Sequence, residues 1–148
     1  MPRLKSRIYI PYQIRKYITN IRDYYSTSNQ FNCGAKDMYV RTTWEQSAGS
    51  FATTAAHECG HSLSGTWGWV CGTSRWKNAI SADMNYVSGY GSNNSSEDFA
   101  EFTQFATSCA GDSELLRGLK VMFPNRFKVL REIMREQNGG SCILDIVE

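Results

Sequence analysis

Residues 48–64 carry an apolar side chain at every fourth position and, on another face, a pair of histidines. The stripe consists of Phe51, Ala55, Cys59 and Leu63. This spacing predicts an amphipathic helix over 48–64 that Gly65 ends. The histidines belong to the run His57-Glu58-Cys59-Gly60-His61, and one helical turn places both imidazoles on the same face. The chain must therefore bury one side of this helix and leave the histidine side at a cleft beside the core.

The run also fits the pattern H-E-x-x-H, in which two histidines of one helix bind zinc and the glutamate activates a water. The chain has only 2 histidines, and both stand in this run. The alternative is a helix with two surface or capped histidines, which leaves that coincidence unexplained. We therefore expect His57 and His61 to bind Zn²⁺ and Glu58 to act as the general base.

A third metal ligand has to come from elsewhere, and without another histidine it is a carboxylate, a cysteine or another oxygen donor. The best candidate is Glu97, at the start of the predicted helical run Glu97-Asp98-Phe99-Ala100-Glu101. Glu97 and Glu101 share a helix face, so one can bind the metal while the other holds a ligating imidazole by a hydrogen bond. The alternative is that both glutamates only favour a helix N-terminus electrostatically.

These blocks resemble a known family. Tyr90-Gly91 followed by Glu97-Asp98-Phe99-Ala100-Glu101 resembles the signature of gluzincin peptidases similar to the catalytic domain of anthrax lethal factor and the clostridial Pro-Pro endopeptidases. The seven-residue step from Tyr90 to Glu97 also agrees. The likeness extends from the first predicted helix to the last, but only the blocks 57–61 and 90–101 are specific.

The resemblance implies that Glu97 is the third zinc ligand, that Tyr90 donates a hydrogen bond or proton to the oxyanion, and that Glu101 supports a ligating imidazole. It implies an α+β, zincin-like metallopeptidase fold, mostly helical, with a small β-sheet edging the active-site cleft. For Tyr90 the alternative is a packing aromatic, and Tyr86 lies in the same segment. The chain departs from the family at Cys59 and in a Trp-rich loop.

The N-terminal half is predicted from shorter patterns. Residues 7–10 are typical of a strand, and apolar residues from Pro11 to Tyr25 recur at helical spacing. Residues 26–34 form a polar loop, and 36–43 a strand whose portion 37–43 would lie along the cleft and pair with an extended peptide.

In the second half, no period persists over 65–94, which predicts a long ordered loop. Its tryptophans, Trp67, Trp69 and Trp76, either line a substrate groove or shield the interior of the loop. Ser95 or Ser96 is expected to cap a helix that Gly111 ends, and 112–123 is expected to be helical. Pro124 opens a last helix that ends before Gly139 and Gly140.

Composition limits the other possibilities. The 148 residues suit one domain, 1–148, because neither a repeat nor a linker divides them. The net charge of +2 comes from interspersed residues rather than from a basic face, which argues against nucleic-acid binding. No run approaches the ~20 apolar residues of a membrane span, and no signal peptide is visible, so a soluble chain is expected. Secretion, the cytoplasm and a virion are all consistent with this.

The cysteines do not identify a compartment. The chain has 5 of them, at positions 33, 59, 71, 109 and 142, without a Cys-x-x-Cys pair. Two disulfides or a fully reduced chain are equally compatible with this odd count. Cys59 lies on the apolar stripe and is expected to pack in the core or to form half of a disulfide rather than to bind metal.

Together these features predict a zinc-dependent endopeptidase that hydrolyses peptide or protein substrates with a metal-activated water. The alternative is a non-catalytic, zinc-bearing structural or binding component of a larger assembly, such as a virus particle, built on a peptidase fold. A lower-ranked alternative is the catalytic portion of a longer toxin. The sequence does not specify the scissile bond or the oligomeric state.

Overall fold

The computed structural model describes residue 16 and residues 18–23, 31–33, 37–40 and 48–145. This part of the chain is mostly helical, with a small sheet. The strands are β1 (Asn20–Asp23), β2 (Phe31–Cys33) and β3 (Asp37–Val40). The helices are α1 (Ala48–Thr66), α2 (Ser74–Asp83), α3 (Ser95–Ser108), α4 (Ser113–Met122) and α5 (Pro124–Gln137). Two short 3₁₀ turns, Val70–Gly72 and Gly91–Asn93, precede α2 and α3.

The sheet has the order β1-β3-β2, with β1 parallel and β2 antiparallel to β3. This order corrects three predictions. Within the segment 11–25, where apolar residues at helical spacing predicted a helix, residues 20–23 form β1 instead, because they pair with the distant strand β3. The expected polar loop 26–34 contains β2. Finally, β3 is hydrogen-bonded on both sides over 37–40, so this part of the predicted strand 37–43 cannot add a substrate strand as an edge strand would, and 41–43 lie outside the described residues. The predicted strand 7–10 lies outside the described residues.

The helix carrying the histidines was predicted closely. It runs over Ala48–Thr66, and Ala55, Cys59 and Leu63 of the stripe are buried. Helix α1 packs against α3 on one side and against β2 and β3 on another. The sheet thus lies beside the helix that bears both histidines.

The expected loop over 65–94 is wrong in its middle, where α2 forms. Thr73 caps this helix, its side chain accepting a hydrogen bond from the Trp76 amide at 3.3 Å. Trp76 is fully buried and meets the rings of Phe99 and Phe102 edge-on, with centroids 4.8 and 5.7 Å away. The groove interpretation of Trp76 is therefore wrong, since this ring belongs to the core. Trp67 is partly buried against the core, whereas Trp69 is exposed.

The three C-terminal helices begin and end close to the predicted positions. Asn94, rather than Ser95 or Ser96, caps α3, its side chain accepting from the amides of Ser96 and Glu97. Asp112 caps α4 in the same way, and Pro124 opens α5 as expected. None of the described helices combines the length and apolar character needed to cross a membrane.

Candidate metal centre

Helices α1 and α3 approach each other very closely at Gly60. A Cβ atom added to Gly60 would lie 2.7 Å from the Ala100 Cα and 3.1 Å from its carbonyl oxygen. Only a residue without a side chain fits this crossing, and a small residue is needed opposite it. The close approach brings one face of α1, with His57 and His61, against the first turns of α3, with Glu97 and Glu101.

We expect Gly60→Ala to destabilise the protein and weaken its metal binding. The methyl group forces the helices apart, and such overpacking costs about 1–3 kcal/mol. This cost exceeds the gain of about 1 kcal/mol that alanine has over glycine in a helix. Urea unfolding and metal content would measure both effects.

The matched control is Gly118→Ala. Gly118 is also inside a helix, but a Cβ atom added to it would meet no described heavy atom within 4 Å apart from the neighbouring backbone of its own helix. Its expected effect is a stabilisation of about 0.5–1 kcal/mol. If Gly60→Ala gains stability as Gly118→Ala does and keeps its metal, the crossing does not set the site.

The helix crossing gathers three ligand atoms into a triangle with nearly equal sides. The Nε2 atoms of His57 and His61 lie 3.2 Å apart, and they lie 3.2 and 3.3 Å from Oε2 of Glu97. Among the described residues, these three form a cluster able to hold a metal ion. The predicted third ligand thus lies within bonding reach of a cation shared with both imidazoles.

Each imidazole is also held through its other nitrogen. His57 Nδ1 lies 2.8 Å from Oε1 of Glu101, to which it can donate its N–H. His61 Nδ1 lies 3.2 Å from Oγ of Ser96. Nδ1–H donation leaves both Nε2 lone pairs facing the buried Oε2 of Glu97, which lacks a hydrogen-bond donor among the described residues. In this tautomer three electron-rich atoms lie close together, and either a bound cation or a proton shared between them would relieve their repulsion.

Ser96 was not among the predicted site residues. Serine is common at helix starts, so its position next to Glu97 is a weak signal in sequence. Only the packing of α3 against α1 shows that its hydroxyl faces an imidazole 35 residues away. By contrast, Glu101 occupies the supporting place that the resemblance implied for it.

The surroundings of the cluster shift the pKa values of His61 and Glu58. Burial lowers the pKa of His61, and the neighbouring His57 lowers it further, which favours the neutral imidazole that binds metals. Burial raises the pKa of Glu58, the charge of His57 opposes this, and that of Glu97 adds to it. Glu58 is half-buried beside the triangle without belonging to it.

Tyr90, rather than Tyr86, lies beside the cluster. The Tyr90 ring centroid is 5.8 Å from that of His57, and the side chain is 55% exposed. The negative charge of Glu97, followed by burial and by the charges of Glu58 and Glu101, raises the pKa of the Tyr90 hydroxyl and keeps it protonated. Tyr86 instead packs near the guanidinium of Arg126, at 5.7 Å. The Tyr90 side chain also hydrogen-bonds to Glu97, which places a protonated, largely exposed phenol at the candidate site.

A buried ion-pair network fixes the N-terminal turn of α3, and sequence reasoning missed it. Arg126 is fully buried and contacts Asp98 at 2.6 Å and Asp83 at 3.0 Å. Its remaining nitrogen donates to the Asn85 carbonyl oxygen. Asp98 directly follows Glu97, so this network anchors the backbone of a ligand-bearing turn to α5. Burial raises the pKa of Asp98 to about 6, against the opposing charge of Arg126.

The described cysteines take no part in the cluster. Cys59, although it stands between the two histidines in sequence, is 1% exposed and packs in the core, as predicted. Cys71, Cys109 and Cys142 are buried thiols without a disulfide. A ligand set of two imidazoles and one carboxylate therefore remains the best description of the candidate centre.

No protein-family model, curated protein or solved structure matches this chain.

Proposed function

We propose that the protein is a zinc-dependent endopeptidase of zincin-like fold. The observation that carries the proposal is the triangle formed by His57, His61 and Glu97, with sides of 3.2–3.3 Å. Two ligands at about 2.0–2.1 Å from a tetrahedral zinc ion lie about 3.3–3.4 Å apart, so the triangle fits one such ion. The mixed nitrogen and oxygen donors suit zinc better than calcium or magnesium, which prefer oxygen ligands.

The number and exposure of the donors favour a catalytic site over a structural one. Structural zinc sites are closed by four protein ligands, whereas catalytic sites have three and keep one position open. The described residues offer three grouped donors. The side chains of His61 and Glu97 are each 21% exposed, and Tyr90 is more exposed still, so the cluster lies near the surface although Oε2 of Glu97 itself is buried.

Each neighbouring residue then has a defined task. A zinc ion bound here would polarise the scissile carbonyl and make a water acidic enough to lose a proton near neutral pH. Glu58 accepts that proton and returns it to the leaving amine. The Tyr90 hydroxyl donates a hydrogen bond to the oxyanion that develops on the carbonyl oxygen. Glu101 and Ser96 hold the imidazoles of His57 and His61 in the ligating orientation.

Metal analysis combined with peptide cleavage tests the proposal. We expect the purified chain to hold one equivalent of zinc and to cleave members of a mixed peptide library. A chelator should reduce cleavage to background, and added zinc should restore it. A chain that retains no zinc contradicts the metal site. Zinc without cleavage contradicts the peptidase and favours the non-catalytic assembly component instead.

A further inference from the structure

Ser88 makes two hydrogen bonds that its single hydroxyl can satisfy together. Its Oγ donates to Oε2 of Glu101 at 2.7 Å and accepts from the amide of Gly91 at 3.0 Å. A hydroxyl has one hydrogen to donate and lone pairs to accept with, so neither bond competes with the other. The half-buried Ser88 side chain therefore joins its own loop to helix α3.

The bond to Glu101 continues to a metal ligand. Oε1 of Glu101 lies 2.8 Å from Nδ1 of His57, while Oε2 is held by Ser88. With one partner on each oxygen, the carboxylate cannot rotate without losing both bonds. Ser88 thus restrains Glu101, and Glu101 in turn sets the ring orientation of His57.

The bond to Gly91 restrains the other side of the site. The Gly91 amide belongs to the peptide bond that follows Tyr90, so Ser88 anchors the backbone directly at Tyr90. The turn Gly91–Asn93 also packs against α3. The exposed Tyr90 ring, 5.8 Å from His57, is thus restrained through its backbone by Ser88 in addition to the contacts of its own side chain with His57 and Glu97.

We infer that Ser88 is a positioning residue that couples the loop bearing Tyr90 to the imidazole of His57. The inference rests on the proposed metal site. It states that the Ser88 hydroxyl affects both the affinity of the site for the metal and the position of Tyr90. Ser88 is two residues before Tyr90 and does not belong to the ligand triangle. It acts only through Glu101 and the Gly91 amide.

The test is the zinc affinity of Ser88→Ala, measured by competition with a chromogenic chelator. Loss of a residue that orients a ligand typically costs about 10–100-fold in metal affinity, and this is the expected decrease. The absorption spectrum of the Co²⁺-substituted variant should also change, because the ligand field responds to the orientation of His57. Cleavage should fall in kcat more than KM rises, since Tyr90 acts in the transition state.

The matched control is Ser92→Ala in the same loop. The hydroxyl of the exposed Ser92 also donates a hydrogen bond, but its acceptor is the Gly89 carbonyl oxygen at 2.7 Å rather than a carboxylate of the site. Zinc affinity should be unchanged in this variant. If Ser88→Ala does not fold, Ser88→Cys keeps a similar size with a weaker donor and should bind zinc with intermediate affinity.

The outcomes separate the two proposals. Should the wild-type chain bind no zinc, the proposed function fails. If the wild type binds zinc and Ser88→Ala binds it with the same affinity, the role of Ser88 is overturned while the proposed function stands. The same conclusion follows from wild-type affinity in Ser88→Cys when that variant is used. An equal loss in Ser92→Ala also overturns this role, because general loosening of the loop would then explain the result.

Discussion

Replacing Glu58 by glutamine should abolish peptide hydrolysis while one equivalent of zinc remains bound. The amide keeps the size of the side chain and one acceptor oxygen, but it replaces the other oxygen with an NH2 donor and is too weak a base to accept the proton of the attacking water. Removal of a general base typically lowers the rate about 10²–10⁴-fold. Glu58 is not one of the three clustered donors, so metal content should not change. Steady-state cleavage of the best library peptide, together with elemental analysis, measures both quantities.

The same substitution at Glu114 serves as the control. Glu114 is exposed in the first turn of α4, and Glu114→Gln should leave cleavage and zinc content unchanged. Full activity in Glu58→Gln would remove Glu58 from the mechanism. Loss of zinc from this variant would instead mean that its carboxylate binds the metal, which the triangle of His57, His61 and Glu97 does not require.

The part of the site whose residues are close together in sequence could be predicted. His57 and His61 are four residues apart on a helix whose opposite stripe is apolar, and this pattern alone fixes their common face. Glu97 could be predicted because a third donor was missing and because the family resemblance implied this position. The structure brings these three side chains together, whereas both the binding of an ion and its identity stay predictions.

Interactions between distant residues could not be predicted in this way. Strand β1 lies in a segment with apolar residues at helical spacing, and only its pairing with β3 selects the extended backbone. Helix α2 was missed because a buried Trp76 and a capping Thr73 do not make a long apolar period. The periodicity of apolar residues indicates which face of a helix or strand is buried, but not which other element packs against that face.

The presence of glycine at position 60 does indicate close helix packing, although the H-E-x-x-H motif gives no reason to look for it there. A glycine inside a helix lowers helix stability, and it is usually kept where another backbone comes close. The H-E-x-x-H pattern leaves this position open, so the motif by itself assigns no role to the glycine. The contact with Ala100 shows that Gly60 and the small residue of α3 determine how near the ligands come.

Arg126 shows the same limit for charged residues. From sequence it is one of several basic residues of α5, typical of a solvated face. In the structure its guanidinium is fully buried between two carboxylates and lies 4.8 Å from the Phe123 ring centroid. Asp83 also accepts from the Asn125 and Arg126 amides at 2.9 and 3.0 Å, so it caps the start of α5. The Arg126 side chain therefore joins α5 to Asp83 of α2 and to Asp98 of α3.

We expect Arg126→Leu to lower the free energy of unfolding by about 3–5 kcal/mol, because it leaves the carboxylates of Asp83 and Asp98 buried without their cation. Folded domains are stable by only about 5–15 kcal/mol, so this loss is severe. Urea unfolding measures it. If the variant does not fold, Arg126→Lys should still be destabilised, because an ammonium group cannot reach both carboxylates with the fork of a guanidinium.

The control is Arg75→Leu, since Arg75 also bridges two carboxylates, those of Glu132 at 2.8 Å and Glu136 at 3.1 Å, but at the surface. Exposed ion pairs contribute about 0–1 kcal/mol, so this variant should unfold almost as the wild type does. Equal small losses in both variants would show that burial of the Arg126 network adds nothing. The larger loss at Arg126 should also be accompanied by weaker zinc binding, because Asp98 and the ligand Glu97 are neighbours in the same helical turn.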